Sequence, residues 1–268
     1  MKIGFIGLGN MAGAMIGGIL KKRALAPEDI LGSAKTAQTR ERMKADYGIQ
    51  VRDGNREVAG AVSVLFLAVK PVFLREVIEE IREAASPGTL VVSLAPGRSL
   101  ESLQEAFGRR DLKFARCMPN TPALVLEGCT GVCADAGVTP EEMERLLRLL
   151  RSFGTAAVVP ERLMDVVAGV SGSSPAYVFL FLEAMADGAV AEGMPRKQAY
   201  EFAAQAVLGS ARLLLETGRH PGELKDMVCS PGGTTIQGVK VLEEKGLRAA
   251  VMAAMEACVR KSRTISAG

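Results

Sequence analysis

Residues 2–15 read KIGFIGLGNMAGAM, and this stretch decides the fold. A short apolar run ends at Ile6, and Gly7-Leu8-Gly9-Asn10-Met11-Ala12 follows at once, a G-x-G-x-x-A spacing. After a strand and at the opening of a helix, that spacing seats a dinucleotide. Gly7 permits the tight turn, Gly9 lets a pyrophosphate approach the backbone, and Ala12 lets the helix pack closely on the sheet. Asn10 and Met11 open the helix, whose N-terminus favours an anion. These five residues are the first cofactor candidates; a glycine-rich turn with no ligand is the plainer alternative. The enclosing run 3–20 carries no charge and has the length of a membrane span. Six glycines interrupt it, and Lys21-Lys22-Arg23 follows it instead of preceding it, which favours strand, loop and helix.

Outward from this loop, short runs rich in Val, Ile, Leu and Phe recur: DILGSA (29–34), GIQV (48–51), VSVLFLAV (62–69), TLVVSLA (89–95), LKFARCM (112–118), CTGVCA (129–134) and TAAVV (155–159). Each reads as a strand. Amphipathic stretches at 36–47, 71–85 and 139–151 lie between them, the last opened by the helix-start sequence Thr139-Pro140-Glu141-Glu142. Alternating strands and helices predict a mostly parallel sheet covered by helices over 1–160. Beyond Pro160 the strand signal stops. Residues 161–268 read as helices, with breaks at Ser171–Pro175, Gly193–Pro195, Thr217–Pro221 and Ser230–Gly233. They are apolar around much of their circumference, so they want partners on several sides and could form a dimer core.

The end of the second strand bears on the cofactor. An acid there would bind the ribose 2′-hydroxyl of NAD. Ile30–Thr36 ends without one, whereas Ser33 offers a hydroxyl and Lys35 a charge for a 2′-phosphate. NADPH is therefore expected ahead of NADH, with an ordinary solvated lysine as the alternative for Lys35. Ala68-Val69-Lys70-Pro71, Ala95-Pro96-Gly97 and Met118-Pro119-Asn120-Thr121-Pro122 end other strands, at the edge where α/β sheets gather ligands.

The totals exclude several classes. The 268 residues are 48% apolar and 24% charged, with a net charge of +3 and no tryptophan, so neither nucleic acid nor a membrane surface is indicated as a partner. Five cysteines without a CxxC and a single histidine make a metal site improbable. Cys129 and Cys133 would stand roughly 13 Å apart along a strand, too far for a disulfide. A reduced, cytoplasmic chain is expected.

Acid–base machinery is sparse. His220 precedes a proline at a helix start, which suits a capping role, and Lys70 lies on the nucleotide side. A reductase of a protonated imine would need only orientation and a hydride. The stretch CSPGGTTIQG (229–238) is the remaining candidate. Ser230 could cap a helix with Pro231 at its first position, or Thr234 could cap with Gln237 completing a capping box. Either start frees backbone N–H groups for a carboxylate and leaves Thr235 its hydroxyl; a capped start without a ligand is the alternative.

Taken together, GFIGLGNMA (4–12), LFLAVKP (65–71), MPNTP (118–122), SGSSPAY (171–177) and LKDMVCSPGGTTIQG (224–238) resemble the pyrroline-5-carboxylate reductase family over nearly the whole chain. The resemblance implies reduction of the cyclic imine Δ1-pyrroline-5-carboxylate to L-proline with NAD(P)H. It implies an α/β fold with an N-terminal Rossmann-type dinucleotide-binding domain (1–160) and a C-terminal all-α domain (161–268) for substrate binding and dimerisation. Intertwined dimers, often assembled into decamers, are the family's habit. Carried over by position, Ser230, Gly233, Thr234 and Thr235 would surround the substrate carboxylate and ring nitrogen, with Thr235 as the catalytic residue. Lys70, Ala95 and Asn120 would line the nicotinamide half of the cofactor, and Ser33, Lys35 and Asn55 the adenosine phosphate; Ala68, Val69 and Pro71, at the same strand end as Lys70, join the cofactor candidates. Ser174 stands where the family has Gly, and Met227 where a polar residue is frequent. A β-hydroxyacid-type dehydrogenase, which would want a lysine such as Lys197 or Lys225, and a non-catalytic NADP-binding sensor are the competing readings.

Overall fold

The structure, a computed structural model, describes residues 1–266. Eight strands form where the apolar runs stand: β1 (Ile3–Ile6), β2 (Ile30–Ser33), β3 (Gln50–Arg52), β4 (Val64–Leu67), β5 (Leu90–Ser93), β6 (Lys113–Met118), β7 (Gly128–Ala134) and β8 (Gly154–Val158). They make one sheet in the order β3-β2-β1-β4-β5-β6-β7-β8. Neighbours are parallel except β6 and β7. The first six strands have the Rossmann order, which reverses direction between β1 and β4. Strands β1, β2, β4 and β5 are buried along their whole length. Their near-continuous apolar sequence follows from burial on both faces. Alternate residues serve opposite layers: Ile3, Phe5, Phe66 and Val92 on one side, Ile6, Leu65, Leu67 and Val91 on the other. The rings of Phe5 and Phe66 stack 4.8 Å apart.

Helices α1 (Asn10–Lys21), α2 (Ala37–Tyr47), α3 (Asn55–Ala59), α4 (Pro71–Ile81), α5 (Leu100–Phe107) and α6 (Pro140–Leu150) connect the strands. The charge-free run 3–20 is thus β1, a loop and α1, whose inner face is buried. Thr139 begins α6 with the complete reciprocal cap: its hydroxyl accepts from the Glu142 N–H, and Glu142 Oε2 accepts from the Thr139 N–H at 2.8 Å. Glu142 also takes Lys113 Nζ at 2.7 Å, so the cap is tied to β6.

After β8 the chain forms α7 (Met164–Val167) and a π-turn (Ala168–Gly172). The break expected at Ser171–Pro175 is this π-turn, which runs almost directly into α8 (Ser174–Ala191). Then come α9 (Arg196–Thr217), α10 (Pro221–Val228), α11 (Thr234–Glu244) and α12 (Leu247–Ser266). A further break, at Lys245–Gly246, was not expected; Gly246 takes φ +76° there, a left-handed conformation that suits glycine. Two compact units result. The first is Met1–Ser173 together with the chain from Cys258; the second is Ser174–Ala257. The compact boundary therefore falls later than the division expected after residue 160. The last turns of α12 belong with the sheet unit, where the Ser262 hydroxyl donates to Asp165 Oδ1 at 2.6 Å.

The second unit leaves apolar surface open in the single chain. Phe179 is 65% exposed and Leu215 82%, while only Ala186, Ala199 and Ala203 are buried among its described hydrophobic residues.

Candidate functional site

The parallel strands β1, β2, β4, β5 and β6 end on one edge of the sheet, and most candidate cofactor residues stand there. Gly7 has φ +91°, and a Cβ at this position would lie 2.8 Å from the Ala68 carbonyl oxygen and 2.9 Å from Val69 Cγ1. Only glycine makes this turn beneath the end of β4. The Gly7 N–H donates to the Ser33 carbonyl at 3.0 Å, locking the turn to β2. Gly9 is the opposite case: no protein atom comes within 4 Å of its would-be Cβ. It caps α1 through its backbone, without a side-chain acceptor and with no acid in the first turn. Asn10 begins the helix on the exposed side, Met11 is half-buried against the core, and Ala12 is buried beneath the sheet-facing side. The result is an open cradle of free N–H groups at a helix N-terminus, which fits a pyrophosphate.

At the end of β2, Ser33 is only 1% exposed, and its hydroxyl donates to Asn55 Oδ1 at 2.7 Å. Asn55 in turn donates from Nδ2 to Glu80 Oε2 at 2.7 Å. The Ser33 hydroxyl hydrogen is thus committed to Asn55 instead of a ligand. Lys35 is exposed, its Nζ 5.6 Å from the centre of the Phe73 ring. Arg40, which strand-end reading overlooked, folds back from α2: its Nη1 donates to the Ala34 carbonyl at 2.8 Å. The missed signal was a basic residue one turn into the helix that follows the strand.

Ala68 and Val69 are half-buried beside Gly7, while Lys70 is the exposed residue before Pro71 opens α4. Ala95 is buried, its N–H donating to Ser93 Oγ at 3.3 Å. Asn120 is 8% exposed and uses both ends of its amide. Nδ2 donates to the Ser171 carbonyl at 2.9 Å, and Oδ1 accepts from the Cys129 N–H at 2.8 Å. Asn120 therefore buckles the end of β6 to the π-turn and to β7. A second fastening was also missed. Glu161 Oε1 accepts from Arg116 Nη1 at 2.8 Å and from the Leu100 N–H at 2.7 Å, joining β6, the start of α5 and the segment after β8.

The other candidate lies in the second unit. Ser230-Pro231-Gly232-Gly233 forms a turn: the Gly233 N–H donates to the Ser230 carbonyl at 3.0 Å, and Gly232 has φ +70°. Proline followed by left-handed glycine is the type II arrangement. Helix α11 begins only at Thr234, with Gly233 as its cap and no side-chain cap bond. Both capping schemes read from the sequence are thereby corrected. Ser230 is a turn residue, and neither Thr234 nor Gln237 forms a capping box, because the turn delivers Gly233 to the cap position. Ser230, Thr234 and Thr235 are exposed and Gly233 half-exposed. The first N–H groups of α11 are free of a side-chain acceptor and open to a carboxylate.

Other polar groups have structural employment. His220 Nδ1 accepts from the Gly222 N–H at 3.1 Å, capping α10. Lys225 sits 2.7 Å from Asp226, whose hydrogen bond raises its pKa and keeps it protonated, unlike a catalytic base. Lys197 lies fully on the surface, paired only loosely with Glu201 at 4.0 Å. None of the five cysteines forms a disulfide; burial raises Cys117 well above the usual thiol range and Cys133 to about 11.

Comparison with known proteins fits this geometry. Residues 161–265 match a family model for pyrroline-5-carboxylate reductase dimerisation, and residues 2–97 one for coenzyme F420-dependent NADP oxidoreductases. The chain is 51% identical over 265 residues to a pyrroline-5-carboxylate reductase of Escherichia coli K12, covering 99% of this chain and 98% of that one. A solved pyrroline-5-carboxylate reductase of Coxiella burnetii superposes with a TM-score of 0.92 at 34% identity, covering 99% of this chain and 98% of that one. The Plasmodium falciparum pyrroline carboxylate reductase solved with NADP bound gives a TM-score of 0.89 at 30% identity, with the same coverage of 99% and 98%. With its glycine cradle, its SPGGTT helix start and this identity along nearly its entire length, the chain belongs to the pyrroline-5-carboxylate reductase family.

Proposed function

We propose that this chain reduces Δ1-pyrroline-5-carboxylate to L-proline, with NADPH preferred to NADH. The observation that carries the substrate half is the start of α11: a glycine cap without a side-chain acceptor, followed by two exposed threonines. The free N–H groups of Thr234 and Thr235 hold the carboxylate, aided by the Ser230 hydroxyl. Gly233 keeps that approach short. The Thr235 hydroxyl holds the ring nitrogen and its proton, orienting the imine carbon. The nicotinamide, when bound, supplies the hydride. In the first unit Gly7, Gly9 and the start of α1 hold the pyrophosphate, with Ala68–Pro71 and Ala95 beside the nicotinamide half. Asn120 supports that edge through the π-turn, so its role is positioning.

Mixing protein, NADPH and pyrroline-5-carboxylate should lower nicotinamide absorbance and form proline; no loss of absorbance would sink the reading. Thr235→Ala removes one hydrogen bond held in the transition state, about 1–3 kcal/mol, so kcat/KM should fall roughly 5- to 150-fold. Parental kinetics in that variant would remove Thr235 from the mechanism. The competing dehydrogenase reading lacks its base, since Lys197 is solvated and Lys225 is paired.

The apolar faces of α8 and α9 belong to a homodimer in this proposal, and decamers built from such dimers extend it. By length and composition alone the run Glu161–Ala191 would also cross a membrane. The match of 161–265 to a dimerisation domain favours the subunit interface. Sedimentation at micromolar concentration should give a dimer or larger species; a monomer would overturn this part. A cytoplasmic location, resting on five cysteines outside any disulfide, completes the proposal.

A further inference from the structure

We propose that Arg40, not Ser33, is the residue that selects a 2′-phosphorylated dinucleotide; this rests on the NADPH reading above. In Rossmann folds the ribose 2′ position is read at the C-terminal end of the second strand. That end is Ser33 here, and the Arg40 guanidinium lies over the next peptide, 2.8 Å from the Ala34 carbonyl and 3.4 Å from that of Lys35. The group is half-buried and held by the backbone, so little of its freedom remains to be lost when a ligand arrives.

Its neighbours make it decisive. Ser33 has given its hydroxyl hydrogen to Asn55. Arg52, opposite Ser33 in the strand register, turns its guanidinium to Gln50 at 2.8 Å. The charged side chains joined or adjacent at this rim are Lys35, Arg40 and Arg52 against Asp53 and Glu80. Arg40 Nε stands 3.3 Å from Asp53, while Glu80 reaches the rim through Asn55. Asp53 is 91% exposed, so its pairing with Arg40 is weak and a phosphate dianion displaces it. Three cations then face two carboxylates. Without Arg40 that positive excess is gone, leaving a rim that tolerates a 2′-hydroxyl and holds a 2′-phosphate less well.

Titration calorimetry with 2′,5′-ADP and with 5′-AMP tests this on the full chain, alongside steady-state KM values for NADPH and NADH. The parent should bind 2′,5′-ADP the more tightly. Arg40→Ala should weaken 2′,5′-ADP and raise the KM for NADPH about ten- to a hundredfold, the loss of a charge-assisted pair, and change 5′-AMP and NADH less than about threefold. Arg40→Gln keeps an amide donor for the Ala34 carbonyl and should show the same selective loss, which separates charge from loop support. Equal weakening of both ligands, or unchanged selectivity in both variants, would overturn the assignment while leaving the reductase reading intact. A parent that binds the two ligands equally would overturn the NADPH preference as well. A parent inactive with either nicotinamide would remove the underlying function itself.

Discussion

Gly9→Val is expected to fold as the parent does and to lose the dinucleotide. Gly9 has φ −77°, a conformation open to any residue, and its Cβ would meet no protein atom. Exchange of a glycine cap for valine therefore costs only about 1 kcal/mol. The added side chain would occupy the space in front of the free N–H groups of α1. A pyrophosphate would forfeit two charge-assisted hydrogen bonds, each about 1.5–3 kcal/mol, so its dissociation constant should rise at least about a hundredfold. Titration calorimetry with NADPH, set beside a thermal melt, checks both halves. Parental affinity in the variant would mean that this loop does not seat the cofactor.

Gly154→Ala should do the reverse, unfolding the first unit before it touches any ligand. Gly154 has φ +150° and ψ −148°, a region that only glycine adopts readily. A Cβ there would overlap the carbonyl of Gly128, its partner in the β7–β8 register, and a backbone atom cannot rotate away. The conformational penalty of about 1–3 kcal/mol adds to overpacking of about 1–3 kcal/mol. The apparent Tm should fall by roughly 5–20 °C, read by calorimetry or circular dichroism. A melt within about 2 °C of the parent would show that β8 can shift without loss.

The inner strands were legible because burial on both faces imposes a local rule. A strand such as Val64–Leu67 must be apolar at every position, and such a run stands out without knowledge of its neighbours. The glycine cradle was legible for a related reason: strand, turn and helix follow one another within a dozen residues. The start of α11 was half legible. Its residues were found, but the capping-box spacing at Thr234 and Gln237 misled, because a type II turn at Pro231–Gly232 delivers Gly233 to the cap. Spacing alone does not tell which of several competing caps the turn permits.

What the sequence determined by itself is the α/β fold, the glycine loop for a dinucleotide and the residues from which the start of α11 is built. All three rest on periodicity and turn chemistry within short windows. Only the tertiary structure decided how their neighbours are used. It committed Ser33 to Asn55, 22 residues on, closed the Asn120 amide on Ser171, 51 residues on, and carried Glu161 back to Arg116 and Leu100. These partners meet because strand order brings distant segments to one edge, and a hydrogen bond depends on separation in space, not along the chain.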